Sequence, residues 1–307
     1  MKGPRPRIAV VGSFVVDLVF KVKRRPGPGE TMLADDFGMF LGGKGFNQAV
    51  GARRLGADVS MVGRIGDDVF GDMFMAKLEQ EGIDSSRVTR DPKAGTAIAS
   101  PVIDASGQNS IIAAPRANMR VTPADVLVAE EQIAAADVLM LQFEIPTATS
   151  KRAAEIARKH GTMVLLDPAP VEHGFERFAA PIDYVVPNEI EAHMLTGRMT
   201  PEEAGAVLLP ETRRGVVVSL GEQGAMAIDR AALLRFPAYK VKVVDTTGAG
   251  DAFRAGLAVK IAEGASLADA VRFANACGAL AFTVMGAEPS MPRRDDVERL
   301  LTQGERE

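Results

Sequence analysis

Short apolar runs alternate with amphipathic stretches along most of the chain. RIAVVG (Arg7 to Gly12), VSMVG (Val59 to Gly63), DVLMLQ (Asp137 to Gln142), TMVLLD (Thr162 to Asp167), YVVPN (Tyr184 to Asn188) and GVVVSL (Gly215 to Leu220) are apolar almost throughout. Such runs read as strands buried on both faces, whereas PADVLVAEEQIAAA and SKRAAEIARKHG between them carry a helical period. Strands of this kind separated by helices predict an α/β fold, with an open, mostly parallel sheet flanked by helices on both faces. Further helices are expected over Ala249 to Glu263, Leu267 to Thr283 and Arg293 to Leu301.

Two regions break the rhythm. Phe20 to Phe40 contains RRPGPGE and has no helical period, and Thr96 to Ala114 reads as a hairpin, TAIASPVI and NSIIAA about a DASGQ turn. These insertions predict either plain edge strands or a small sheet covering the site, and the pattern alone leaves both open.

Composition adds mainly exclusions. A chain of 307 residues has ample material for a large core, and 47% hydrophobic with 25% charged residues is ordinary for a globular protein. The formal net charge is −4 with acidic and basic residues interspersed, so no nucleic-acid or anionic-membrane partner is expected. The single cysteine, Cys277, lies in an Ala-rich helical run and is expected to be a buried, inert thiol. MKGPRPRIAVVGSF lacks the long apolar region of a signal peptide, and no apolar run approaches the roughly 20 residues of a membrane span. A soluble, cytoplasmic protein is the expectation. His160, His173 and His193 lack metal-ligand spacing, and nothing resembles a Ser-His-Asp set.

Three stretches can carry chemistry. In VDTTGAGDAFRAG (Val244 to Gly256) the glycines permit a sharp turn and clear the backbone of side chains. The free N–H groups and dipole of the following helix then make an anion cradle with Asp251 at its rim. Read alone, Asp251 is first of all an aspartate favouring a helix N-terminus. LGGKGFNQAVGARRLGA (Leu41 to Ala57) is neither a P-loop nor a GxGxxG fingerprint. Its glycines suit close packing of helix on sheet, or a grip on a hydroxylated ligand by backbone amides and Asn47, with Lys44 nearby. GSFVVD (Gly12 to Asp17) stands at the C-terminal end of the first strand, where open α/β sheets bind ligands, and Asp17 can accept two hydroxyl hydrogen bonds. Glu144, Asp167, Asn188 and Glu191 hold similar positions. Each alone reads as a solvated turn residue; together they outline a site.

These residues together resemble the ribokinase (PfkB) family of carbohydrate and nucleoside kinases, from GSFVVD to GAEPS near Ser290. GGKGFNQA and DTTGAGDAFRAG carry most of the resemblance; PGET, LQFE, DPAP, PNEIEA and MGAEPSMP are similar to the ribokinase branch. It implies a single ribokinase-like domain over 1–307, with a lid formed by insertions at about 18–40 and 96–115 that also makes a homodimer contact. It implies an ATP-dependent sugar kinase. Asp251 accepts the proton of a primary hydroxyl attacking the γ-phosphate, and the amides of Gly248, Ala249 and Gly250 face the developing charge. An ordinary aspartate pKa near 4 is adequate for that role. Asp17, Gly43, Lys44, Asn47 and Glu144 would line the sugar pocket, and Ser219, Gly221, Gly224 and Asn275 would flank the nucleotide. Asn188 and Glu191 would organise Mg²⁺ and phosphate through water. Asp245, Thr247, Ala281, Val284, Gly286 and Ser290 would surround a monovalent cation, K⁺, with oxygen ligands.

Three residues depart from the ribokinase branch. Val15 replaces an asparagine two residues before the sugar-binding aspartate, so one polar contact is missing and a deoxy sugar would suit Phe14 and Val15 better. Arg116 in PRAN replaces a glycine, where it is either an exposed arginine or a partner for an anionic substituent. Arg254 replaces an asparagine and is shared with nucleoside kinases. A nucleoside kinase or deoxyribose kinase therefore stays open. So does a non-catalytic sugar-binding regulatory protein, although the intact Asp251 turn favours catalysis; the missing GxGxxG weighs against a nicotinamide-dependent oxidoreductase.

Overall fold

The apolar runs become the strands of one large sheet, and the two irregular insertions form a second sheet of their own. The computed structural model describes residues 5–103, 105, 109–171 and 180–304. Its strands are β1 (Arg7–Val11), β2 (Val15–Lys21), β3 (Asp36–Gly42), β4 (Asp58–Gly66), β5 (Asp84–Asp91), β6 (Ala97–Ile103), β7 (Asn109–Ala114), β8 (Val138–Leu141), β9 (Met163–Leu166), β10 (Tyr184–Val185), β11 (Gly215–Ser219), β12 (Ala225–Asp229) and β13 (Leu233–Phe236). Its α-helices are α1 (Lys44–Arg54), α2 (Val69–Glu81), α3 (Pro123–Val128), α4 (Glu130–Ala135), α5 (Thr147–His160), α6 (Glu189–Thr196), α7 (Pro201–Leu208), α8 (Ala249–Ala262), α9 (Leu267–Ala281), α10 (Ala287–Ser290) and α11 (Arg294–Gly304).

The large sheet has nine strands in the order β13-β12-β11-β10-β9-β8-β1-β4-β5. β5 through β11 in this row pair in parallel, and β12 and β13 add an antiparallel edge. The residues of β1 alternate between two cores: Ile8 and Val10 pack with α1, α2, α8 and α9, Ala9 and Val11 with α3 to α7. That is why the runs are apolar at every position rather than at every second one. β1 lies between β4 and β8, so the chain winds outward from it in both directions. Ligands bind at the C-terminal strand ends beside such a reversal.

The small sheet has the order β3-β2-β6-β7. The insertions are therefore not edge strands of the main sheet. Its pairing begins at Val15 and Gly42, slightly outside the expected 18–40 span. The hairpin of β6 and β7 is present, while most of its DASGQ turn lies outside the described residues. Cys277 is fully buried against Gly256, where a Cβ would stand 2.6 Å from its sulfur, and burial pushes the thiol well above its ordinary range. Among the described residues no helix is long and apolar enough to cross a membrane.

Candidate active site

The N-terminus of α8 provides the expected cradle. Gly248 is its N-cap with φ 80, and a Cβ there would lie 2.9 Å from the Ala287 backbone, so both conformation and space call for glycine. Asp251 sits in the first turn and is only 7% exposed. Its Oδ2 accepts from Asn47 Nδ2 at 2.9 Å, and its Oδ1 accepts from Gln48 Nε2 at 3.0 Å. The pKa of this carboxyl is not the ordinary one. Burial pushes the carboxyl up, with Asp167 adding to it, against the pull of Lys44, Asn47 and Gln48. A more basic carboxylate is the better proton acceptor at neutral pH.

Asp251 belongs to a larger polar array. Gln48 Nε2 also donates to Asp167 Oδ2 at 3.0 Å, and Gln142 Nε2 donates to Gln48 Oε1 at 2.7 Å, which fixes the way the Gln48 amide faces. Lys44 Nζ lies 3.4 Å from Asp167 Oδ2. Burial alone would lower the Lys44 pKa, but Asp167, Asp251 and Glu144 outweigh it and hold the ammonium above the ordinary lysine range. On the other side of Asp167, Arg254 Nη2 stands 3.2 Å from Oδ1 and 3.0 Å from Glu191 Oε2. Glu191 and Asn188 form a capping box on α6, each side chain accepting the other's backbone N–H at 2.8 Å.

The GGKG segment runs flush against the link between β1 and β2. A Cβ on Gly45 would lie 2.5 Å from Ser13 N, and one on Gly43, whose φ is 93, 2.8 Å from Val15 N. This tight fit brings Lys44 N within 2.8 Å of Glu144 Oε2, which also accepts from Ser13 Oγ. The close-packing reading of these glycines holds, and that packing places the polar groups of the segment beside Glu144. Burial raises the Glu144 pKa against the pull of Lys44 and Ser13.

Asp17 is not at the end of β1 as expected. It lies on β2, half-buried, opposite Phe40, and a Cβ on Gly42 would stand 2.7 Å from its Oδ2. Burial, then Glu144 and Asp251, push its pKa from 3.8 to about 6. Phe14 also departs from expectation: it is fully buried against Phe46 and Phe74, and so turned away from any sugar. Asn118 holds the backbone there, accepting from Phe14 N at 3.1 Å and donating to Phe14 O at 2.9 Å. Arg116 is exposed, and its Nη1 donates to Thr96 O at 3.1 Å at the root of β6.

Beside the cradle is a cavity of about 540 Å³ lined by Ser219, Gly221, Gly224, Asn275, Ala249 and Gly250 among others. The residues expected to flank a nucleotide thus share one cavity with the first turn of α8. Asn275 Nδ2 donates to the Phe236 and Pro237 carbonyls, both at 3.3 Å. Behind the cradle, Asp245 Oδ1 accepts from Thr247 N at 3.0 Å and Oδ2 from Gly286 N at 2.8 Å, which hold its carboxyl below its ordinary range despite burial. Ser290 Oγ lies 3.5 Å from Thr247 O, and Val284 N donates to Ala281 O at 3.3 Å. The six residues expected around a cation therefore lie on two segments joined by the Gly286–Asp245 and Ser290–Thr247 contacts.

The family model "pfkB family carbohydrate kinase" matches residues 5–294. The chain belongs to the pfkB family of carbohydrate kinases. It is 38% identical over 302 residues to the ribokinase of Bacillus subtilis (strain 168), covering 96% of this chain and 99% of the relative. It is 34% identical over 304 residues to the deoxyribokinase of Salmonella typhi, covering 97% and 99%. A solved Arabidopsis thaliana ribokinase complexed with ribose and ATP superposes with a TM-score of 0.90 at 33% identity, covering 97% of this chain and 99% of the other. The protein is therefore a phosphotransferase with an alcohol group as acceptor.

Several residues in this pfkB kinase site were not among the expected ones. Gln48 follows Asn47 in the same motif but only the fold shows that it bridges Asp251 and Asp167. Asp167, just beyond β9, was among the expected strand-end residues, but no role was assigned to it. Gln142 and Ser13 gave none beyond proximity to strand ends, and Arg254 read only as a departure.

Proposed function

We propose that this kinase transfers the γ-phosphate of ATP to the primary hydroxyl of a pentose, with Asp251 as the base. The observation that carries the reading is the position of Asp251: a buried carboxylate in the first turn of α8, between the Asp17, Lys44, Asn47 and Glu144 cluster and the 540 Å³ cavity. Asn47 Oδ1 is buried without a protein partner, an acceptor suited to a sugar hydroxyl. Asp251, held by two amide donors, takes the hydroxyl proton as the oxygen attacks. The N–H groups of Gly248, Ala249 and Gly250 offset the charge on the transferring group. Glu191 would hold Mg²⁺ through water on Oε1, since its Oε2 is taken by Asn188 N and Arg254; the ion supplies charge neutralisation at the phosphates. K⁺ would sit among Asp245, Thr247, Ala281, Val284, Gly286 and Ser290. The small sheet would act as a lid carrying Asp17. Its exposed Phe20, Phe37 and Ile112, on the face away from Asp17, support a homodimer contact.

Val15 favours a second reading within this class, 2-deoxyribose. Its apolar side chain offers no partner to a hydroxyl, and leaving a hydroxyl unpaired in a closed site costs about 1–3 kcal/mol. A coupled ADP-release assay over ribose, 2-deoxyribose, other sugars and nucleosides, with and without K⁺, separates the readings. Val15→Asn is expected to shift the ribose-to-deoxyribose ratio of kcat/KM toward ribose by about tenfold. An unchanged ratio removes Val15 from substrate choice, and turnover confined to nucleosides replaces the pentose.

The Asp17 carboxyl predicts a pH effect of definite sign. Only the carboxylate accepts two hydroxyl bonds, so kcat/KM for the sugar should fall as pH drops through about 6. The stability effect runs the other way. A folded-state pKa raised above its unfolded value contributes stability below pH 3.8 that is lost as pH rises through about 6. Melting curves of Asp17→Asn against the parent between pH 5 and 7.5 check the second half: the difference should shift in favour of the variant as pH rises.

A further inference from the structure

Arg254 is 3% exposed and stands three residues after Asp251, on the same face of α8. Its guanidinium meets three separate elements. Nε donates to Val186 O at 2.9 Å beyond β10, while Nη2 lies 3.2 Å from Asp167 Oδ1 beyond β9 and 3.0 Å from Glu191 Oε2 in the first turn of α6. Nη1 occupies the space beside Gly250, where a Cβ would come within 2.6 Å of it. A side chain on Gly250 would have to displace that guanidinium.

We infer that Arg254 is a positioning residue for phosphoryl transfer: it ties the ends of β9, β10 and α6 to the helix carrying Asp251, and lays its charge along the edge of the anion cradle. The inference rests on the kinase reading above. Through Asp167 and the shared Gln48 donor, Arg254 reaches the carboxylate of Asp251 itself. A buried guanidinium must satisfy its donors whatever its role, so where its partners stand is what matters. This guanidinium serves two carboxylates and a carbonyl, all at the C-terminal strand ends where the reaction is placed. Only a planar, forked cation meets that set; an ammonium is a point charge and cannot. Alignment is what phosphoryl transfer asks of the protein, and displacement by about 1 Å can cost on the order of 100-fold.

The test uses the full chain carrying Arg254→Lys and Arg254→Ala. Arg254→Lys is expected to lower kcat about 100-fold. Calorimetric affinity for the pentose should stay within about threefold, and ADP affinity should weaken severalfold, because Asp17, Asn47 and Glu144 do not touch Arg254 whereas the cradle does. In Arg254→Ala, added guanidinium should restore part of the turnover, and sodium chloride at equal ionic strength should not. Three results would overturn the role: a Lys variant with kcat within threefold of the parent, pentose affinity falling in step with kcat, or equal responses to guanidinium and sodium. Wild-type protein runs alongside. Failure to turn over any sugar sinks the kinase reading, and Arg254 is then judged by ADP affinity, whose retention in the Lys variant overturns its role.

Discussion

Asp251→Asn should lower turnover on a pentose about 1,000-fold, with Mg·ATP affinity close to that of the parent. General-base groups contribute about 10²–10⁴ in rate, and two features of this site keep the effect above the lower end of that range. The carboxylate is buried and pushed up in pKa, so it is a stronger base than a solvated aspartate. It is also aimed by two donors, Asn47 Nδ2 on Oδ2 and Gln48 Nε2 on Oδ1. An asparagine can satisfy only one of these with its carbonyl; its NH₂ confronts the other donor, so lost chemistry is compounded by lost alignment. Nucleotide affinity should survive because the cavity is lined from the 219–224 turn, the 237–243 segment and α9 rather than by the Asp251 carboxylate. Coupled ADP release and calorimetry measure the two halves separately. Turnover within tenfold of the parent, with ATP still bound, removes Asp251 from the base role. Loss of both together points instead to a collapsed cradle.

The second large effect comes from one methyl group. Gly45→Ala places a Cβ 2.5 Å from Ser13 N and 2.8 Å from the Gly12 backbone. Neither neighbour is a flexible side chain that can swing aside. Both belong to the segment leaving β1, which also carries the Ser13 hydroxyl bonded to Glu144. Overpacking of this kind costs typically 1–3 kcal/mol and occasionally more, and backbone against backbone belongs at the upper end. For a chain of this length about 3 kcal/mol lowers the melting temperature by on the order of 5 °C. Activity should fall further than stability, because the same shift pulls Lys44 N away from Glu144 and moves α1, the source of Asn47 and Gln48. Calorimetric melting and sugar kcat/KM check both halves. A melting temperature within 1 °C of the parent would mean that the backbone at Ser13 gives way far more easily than this contact implies.

How far the sequence was legible follows the range of the interactions. The sheet could be read from near-continuous apolar runs, because burial on both faces leaves a local mark in every strand. The cradle could be read from TTGAGD, because a positive φ at Gly248 and a helix N-terminus are local requirements. β2 was harder. The residues from Arg7 to Lys21 form a nearly unbroken β-like stretch, and only Gly12 and Ser13 mark where the chain leaves one sheet for another. β12 and β13, short and only partly buried, left no comparable signal. The raised pKa of Asp251 and the Gln48 bridge could not be read at all. They exist only because positions 203 residues apart along the chain, on α1 and α8, meet inside the fold.

Asn118 gives the small sheet a mechanical character. By bonding both the N–H and the C=O of Phe14 it acts as a one-residue strand, a rivet through the backbone where the chain crosses between sheets. Asp17 lies three residues past that rivet, on an arm of roughly 10 Å of extended chain. Any tilt of the small sheet about the rivet sweeps the Asp17 carboxylate through an arc, whereas Lys44, Asn47 and Glu144 stay on the frame of the large sheet. In the proposed lid the Asp17 carboxylate would be the one moving jaw of a vice, and the length of the arm would set how far that jaw opens for a given angle.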